Sequence, residues 1–130
     1  MRLILFFLLA FISASPQAKS YRTAYDFAYC YEIADWVVSW RNVCLQDPDC
    51  KPADKIESQG VIDRMKKLES AVATTVASRG ITPDAFETAK TEKKLWIQNE
   101  VRSTTSFDMP AFKEWINTTV EVCTRDFYVP

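Results

Sequence analysis

The sequence of 130 residues contains no histidine and only two glycines. Without histidine, the chain cannot build a Ser-His-Asp or Cys-His nucleophile or a zinc site that depends on imidazole. With so few glycines, it has no glycine-rich loop of the kind that cradles phosphate groups. We therefore predict that the protein is not an enzyme, has no metal site and needs no cofactor.

The chain also lacks a clear excess of charge of either sign, with 16 basic and 17 acidic residues. The basic residues are spread along the chain and are adjacent only at Lys66-Lys67 and Lys93-Lys94. A nucleic-acid-binding protein or a protein of anionic membrane surfaces concentrates positive charge. We expect neither nucleic acid nor a membrane surface as a partner.

Long apolar runs are missing as well, because Leu3 to Ile12 is far shorter than the ~20 residues that a membrane-spanning helix needs. Arg2 precedes this run, and small residues ending at Ala18 follow it. This order is typical of a secretory signal peptide. We predict a signal peptide over residues 1–18, one domain over 19–130, and a periplasmic or secreted location with no membrane insertion after cleavage.

Proline and glycine divide the remaining chain into four segments. They lie mostly at segment boundaries, and only Gly60 falls near a segment interior. Apolar residues advance along the second segment in steps of three and four, which indicates one face of a helix. The segments cover roughly 20–44, 55–79, 83–103 and 109–126. We predict an all-α fold, a small four-helix bundle in up-down-up-down order.

The helix ends have recognisable signals. Gly80 is suited to closing the second helix, and Thr82 followed by Pro83 is suited to beginning the third. Asp108 and Pro110 mark the start of the fourth. The third predicted helix has an apolar side that includes Trp96 and Ile97. The predicted buried face of the fourth consists of Phe112, Trp115, Ile116, Val120 and Cys123.

Four cysteines in an exported chain predict disulfides. Cys30 and Cys44 lie on one predicted helix about 21 Å apart, which is too far for a disulfide. Antiparallel first and fourth helices bring Cys123 close to Cys30. We therefore predict the pairs Cys30–Cys123 and Cys44–Cys50, with the crossed pairing as the alternative.

The first predicted helix is apolar on two sides. Phe27, Ala34 and Val38 belong to one side, and the other carries aromatic residues. Such a helix is usually the central helix of a bundle. The alternative is that its aromatic side chains stay partly exposed and form a contact surface, since Trp and Tyr dominate interface energetics.

We predict that the chain acts by binding another protein, as an inhibitor or immunity-type module that sequesters its partner. The predicted partner-binding residues are Tyr25, Tyr29, Trp36 and Trp40, with Glu32 and Asp35 at the rim. The alternative hypothesis is a carrier that holds a small apolar ligand between its helices. A homodimer through the aromatic side is compatible with both.

Overall fold

The computed structural model describes residues 21–105 and 109–130. The predicted signal peptide over residues 1–18 lies outside the described residues, and so does Asp108 at the predicted start of the fourth helix. The signal peptide and its cleavage site therefore stay predictions.

The described residues form four helices and no strand. The helices are α1 (Ala24–Gln46), α2 (Pro52–Ser78), α3 (Pro83–Thr105) and α4 (Met109–Asp126). The predicted all-α class with four helices is confirmed. The connections are short, which fits the predicted up-down-up-down order.

The start of α1 is fixed by Asp26 in its first turn. Its carboxylate accepts hydrogen bonds from the backbone N–H groups of Arg22 and Thr23, each at 2.8 Å. A carboxylate at this position satisfies free N–H groups and faces the positive end of the helix dipole. The helix therefore begins at Ala24, a few residues later than predicted.

The turn between α2 and α3 uses the predicted glycine and threonine. Gly80 has a φ of 73°, and the N–H of Ile81 donates to the carbonyl of Val76 at 3.3 Å. A left-handed residue followed by this bond is the Schellman ending of a helix. Thr82 then accepts a hydrogen bond from the N–H of Ala85 at 3.2 Å and caps α3. Both predicted helix signals are confirmed.

Helix α1 packs against each of the other three helices and contacts α2 most extensively. Its buried residues include Phe27 and Ile33, which are at most 1% exposed. The facing stripe of α2 includes Met65, Leu68 and Val72, also at most 1% exposed. The central position predicted for the first helix is confirmed.

Both predicted disulfides are present. The Cα atoms are 5.6 Å apart in Cys30–Cys123 and 5.5 Å apart in Cys44–Cys50, which is an ordinary separation. The first pair is buried between α1 and α4, and the second closes the turn after α1. All four cysteines are therefore in disulfides.

The carboxyl terminus is attached to the bundle. The N–H of Val129 donates to the carbonyl of Thr124 at 2.8 Å, and Arg64 of α2 donates to the carbonyl of Pro130 at 3.1 Å. Val129 is buried, whereas Tyr128 is 93% exposed. Tyr128 is thus a fully exposed aromatic residue on an anchored segment.

Candidate functional site

The aromatic residues predicted as a contact surface are partly exposed on α1. Tyr25 is 43% exposed and Trp40 is 41% exposed, while Tyr29 and Trp36 are partly buried against the core. On the other apolar side of the helix, Phe27 is 1% exposed. Helix α1 therefore has one buried side and one aromatic side that reaches solvent at both ends.

At the amino-terminal end of α1, an aromatic group forms with α3. The ring of Tyr29 meets that of Trp96 edge to face, with centroids 5.8 Å apart. The ammonium of Lys93 lies 5.4 Å from the centroid of the Trp96 ring and 5.8 Å from those of Tyr25 and Tyr29. These distances are typical of cation–π interactions. We call these four residues the amino-end cluster.

The sequence placed Trp96 on the apolar side of the third helix, but its ring is not buried with that side. Trp96 is 42% exposed. Ile97, its neighbour in sequence, is the residue that α3 buries in the core, at 1% exposed. Because a step of one residue rotates a helical side chain by about 100°, the ring of Trp96 lies at the edge of the buried side. It extends the aromatic surface of α1 onto α3.

A second aromatic group lies at the carboxyl-terminal end of α1. Trp36 and Trp40 have ring centroids 5.5 Å apart, and Trp36 meets the buried ring of Phe112 edge to face at 5.4 Å. Phe112 in turn lies 6.0 Å from Trp115. We call these four residues the carboxyl-end cluster. Its contact with Phe112 holds Trp36 in place, so Trp40 is presented on a fixed support.

An acidic cleft lies between α1 and α3 beside these aromatic residues. It has a volume of about 170 Å³. Residues Glu32, Asp35, Trp36 and Ser39 of α1 and Lys94, Ile97 and Gln98 of α3 line it. We call this depression the acidic cleft. The two acidic residues predicted at the rim of the site are therefore brought together in one depression.

Glu32 does not lie at the rim, where the sequence predicted it. The residue is only 7% exposed, because α3 covers that side of α1, whereas Asp35 is partly exposed. Within the residues that the structure describes, the Glu32 carboxylate has neither a hydrogen bond nor an ion pair. The carboxylate oxygens are not among the fully buried atoms without a partner, so they reach solvent through the cleft. Removing most of a charged side chain from water without a protein partner is still costly.

The surroundings of Glu32 favour its neutral form. Burial raises the pKa of its carboxyl from 4.5 to about 7, and the negative charge of Asp35 adds to this effect. The positive charges of Lys94 and Lys90 oppose it. Glu32 therefore changes its protonation state close to neutral pH.

Replacing Glu32 by glutamine is expected to stabilise the fold at pH 8 and to change it little at pH 4. The folded protein holds the Glu32 proton more tightly than the unfolded chain between pH 4.5 and about 7, so stability falls as pH rises through this window. The Glu32→Gln variant does not lose stability in this way, because the amide of glutamine does not ionise. We expect a gain in the free energy of unfolding of roughly 1–3 kcal/mol at pH 8, measured by urea denaturation.

The matched control for this prediction is Glu121→Gln, an identical change at an exposed position of α4. Its effect should stay within about 0.5 kcal/mol at both pH values. If Glu32→Gln and Glu121→Gln behave alike at pH 8, Glu32 is not destabilised by its burial.

Sequence reasoning missed the α3 half of the acidic cleft. Lys94 and Gln98 are one helical turn apart and both line it. Their spacing places them on one face of α3, but the same pattern occurs on any solvated helix. Only the packing of α3 on α1 distinguishes them from ordinary surface residues.

Neither a metal site nor a membrane span is found in the described part of the chain. Between residues 21 and 105 and between 109 and 130, no three His, Cys, Asp or Glu side chains are placed to hold a metal ion. No helix of these same ranges is long and apolar enough to cross a membrane.

Comparison of this chain with protein-family models, with curated proteins and with solved structures finds no match.

Proposed function

We propose that this chain is an exported binding protein that sequesters a partner protein, in the manner of an inhibitor or immunity protein. It contacts the partner through the aromatic side of α1, with Tyr25, Tyr29, Trp36 and Trp40 as the main contact residues. We propose no catalytic activity for the chain. Glu32 and Asp35, which line the acidic cleft next to these rings, contribute negatively charged groups to the contact.

The observation that carries the proposal is the partial exposure of large aromatic residues at both ends of one helix. Tyr25 and Trp40 are each more than 40% exposed, and Trp96 extends the same surface at 42%. Trp and Tyr are enriched among the residues that contribute most to protein interfaces. A surface of clustered, partly exposed aromatic rings is a recognised sign of an interaction site.

The support beneath the aromatic residues favours binding with little rearrangement. The Cys30–Cys123 disulfide ties α1 to α4, and the Cys44–Cys50 disulfide closes the turn at the end of α1. Trp36 is packed against the buried ring of Phe112. A surface that is already ordered loses less entropy when it binds.

The location outside the cytoplasm belongs to the same proposal. Disulfides persist in oxidising compartments, so the two disulfides of this chain are compatible with export. The segment 1–18 has the residue pattern of a secretory signal. Both observations support a partner that is met in the periplasm or outside the cell.

The carrier alternative receives less support from the clefts that the described residues line. The acidic cleft contains two carboxylates and a lysine. A cleft of about 380 Å³ beside Cys44 and Cys50 is bordered by Arg41, Asp54 and Glu57. Sites for small apolar ligands are lined mainly by apolar and aromatic side chains. Charged side chains border both of these clefts. A third cleft, between α1, α2 and α4, is lined mainly by apolar residues such as Val61, Met65 and Ile116, but its volume of about 130 Å³ is below the roughly 300–1,000 Å³ of sites for drug-sized ligands.

The proposal is tested by the mass of the protein isolated from its own host without denaturation, and then again after denaturation without reductant. We expect a complex with a different protein that dissociates on denaturation. A small molecule released on denaturation would establish the carrier alternative instead. A protein that remains a monomer or a homodimer at host concentrations would contradict sequestration of a different partner.

A further inference from the structure

The acidic cleft contains a largely buried acid that has no protein partner, and this is the feature that points to a ligand. Glu32 is more than nine-tenths buried and lines the cleft. No described side chain donates a hydrogen bond to its carboxylate or forms an ion pair with it. The Glu32 oxygen atoms are not among the fully buried polar atoms that lack a partner, so they are open to the cleft. The hydrogen-bond donors that pair with this carboxylate therefore come from the molecules that enter the cleft.

The charges that face Glu32 come from three helices. Asp35 and the Tyr31 hydroxyl share α1 with it, and Glu69 approaches from α2. Lys94 and Lys90 approach from α3. The Lys90 ammonium forms an ion pair with Glu87 at 2.6 Å, and it also lies 4.6 Å from the centroid of the Tyr31 ring.

Of the two lysines, only Lys94 lines the cleft, together with Glu32 and Asp35. Lys94 is itself exposed, and it forms no ion pair in the described part of the chain. Two carboxylates and one ammonium give the cleft an excess of negative charge when both acids are ionised. Its ligand should therefore be a cation with hydrogen-bond donors.

The size and walls of the cleft restrict that cation further. Its volume of about 170 Å³ is below the roughly 300–1,000 Å³ of sites for drug-sized ligands, so it accommodates a single side chain. Trp36 forms part of the wall, and Gln98 and Ser39, whose side chains each contain an oxygen atom, also line the cleft. A guanidinium group stacks on aromatic faces and donates in parallel to carboxylates.

We propose that the acidic cleft binds an arginine side chain of the partner protein, with Glu32 and Asp35 accepting its N–H groups and Trp36 stacking on its plane. This inference rests on the proposed function, because it takes the arginine from the same partner that the aromatic side of α1 contacts. In this proposal Glu32 binds the partner directly.

Binding of arginine should depend on pH in a definite direction. The cation is attracted by the ionised form of Glu32, whose pKa is about 7 in the free protein. Below that pH, a proton must leave Glu32 when arginine binds. The affinity should therefore fall by about tenfold for each pH unit below 7, until the pKa of the complex is reached.

The experiment is an NMR titration of the disulfide-bonded protein with N-acetyl-arginine-N-methylamide. We expect the Trp36 indole N–H and the backbone signals of Glu32 and Gln98 to shift, with a dissociation constant of about a millimolar. The citrulline analogue has the same shape without the charge and should cause no shift. The lysine analogue should bind more weakly, because it cannot donate in parallel or stack.

The variants Glu32→Gln and Asp35→Asn should each weaken arginine binding by about tenfold or more. Glu121→Gln, the same change away from the cleft, should leave the affinity within about twofold. The Glu32→Gln variant is expected to be at least as stable as the original protein, so its loss of binding would not reflect unfolding. It should also remove the dependence of the affinity on pH near 7.

Four results would overturn the inference. These are no shift with the arginine compound, equal shifts with the citrulline compound, equal affinity for the lysine compound, and shifts confined to residues outside the cleft. Binding of free agmatine tighter than that of an arginine-containing peptide would assign the cleft to a small free guanidinium compound instead. Each of these results can be obtained without the partner protein. The presence of a partner is tested separately, by the mass of the protein isolated from its host without denaturation.

Discussion

Replacement of Cys30 and Cys123 by alanine is expected to lower the free energy of unfolding by about 4–5 kcal/mol. This disulfide joins residues 93 positions apart, so it restricts the unfolded chain strongly. Domains of this size are typically stable by about 5–15 kcal/mol, so the variant would lose a large share of its stability. Guanidinium unfolding monitored by circular dichroism measures the difference.

The second disulfide provides the matched control. Cys44 and Cys50 are six positions apart, and the same chain-entropy argument gives a loss of roughly 2–3 kcal/mol for their replacement by alanine. We therefore expect the Cys30→Ala, Cys123→Ala variant to unfold at the lower denaturant concentration. If the short disulfide contributes as much as the long one, the stability is not governed by restriction of the unfolded chain.

The fold could be predicted largely because its signals are local. Gly80 adopts the left-handed conformation that ends α2, and Thr82 caps α3. The disulfide pairing followed from the rise of a helix, which separates Cys30 from Cys44, and from the antiparallel course expected for α1 and α4. These inferences need only helix geometry and the order of the segments.

The candidate site could be predicted only in part, because exposure depends on how the helices cross. Glu32 and Asp35 belong to one polar arc of α1, yet α3 covers Glu32 and leaves Asp35 partly exposed. Trp96 and Ile97 are adjacent in sequence, but only Ile97 is buried. Periodicity identifies a face of a helix without showing which edge of that face its neighbour covers.

Replacement of both Trp36 and Trp40 by alanine is expected to reduce affinity for the partner protein by a hundredfold or more. Tryptophan at the centre of an interface often contributes about 2 kcal/mol or more, and the two rings here are in contact at 5.5 Å. Trp40 is 41% exposed, so its loss should cost the fold little. Trp36 packs against Phe112, and its loss should cost about 1–2 kcal/mol.

The single variant Trp40→Ala separates binding from folding, because its ring is the more exposed of the two. Tyr128→Ala is the control, since Tyr128 is 93% exposed and lies beside Tyr21 and Phe127, at the other end of α1. Both variants remove an exposed aromatic ring. Only Trp40→Ala removes a ring of the carboxyl-end cluster.

The central claim is tested most directly by the affinity of Trp40→Ala for the partner recovered from the host, compared with that of Tyr128→Ala at equal helicity. We predict that Trp40→Ala binds at least tenfold more weakly than the original protein and that Tyr128→Ala binds as the original does. Equal affinity of Trp40→Ala and the original protein, with both folded, would contradict a contact surface on the aromatic side of α1.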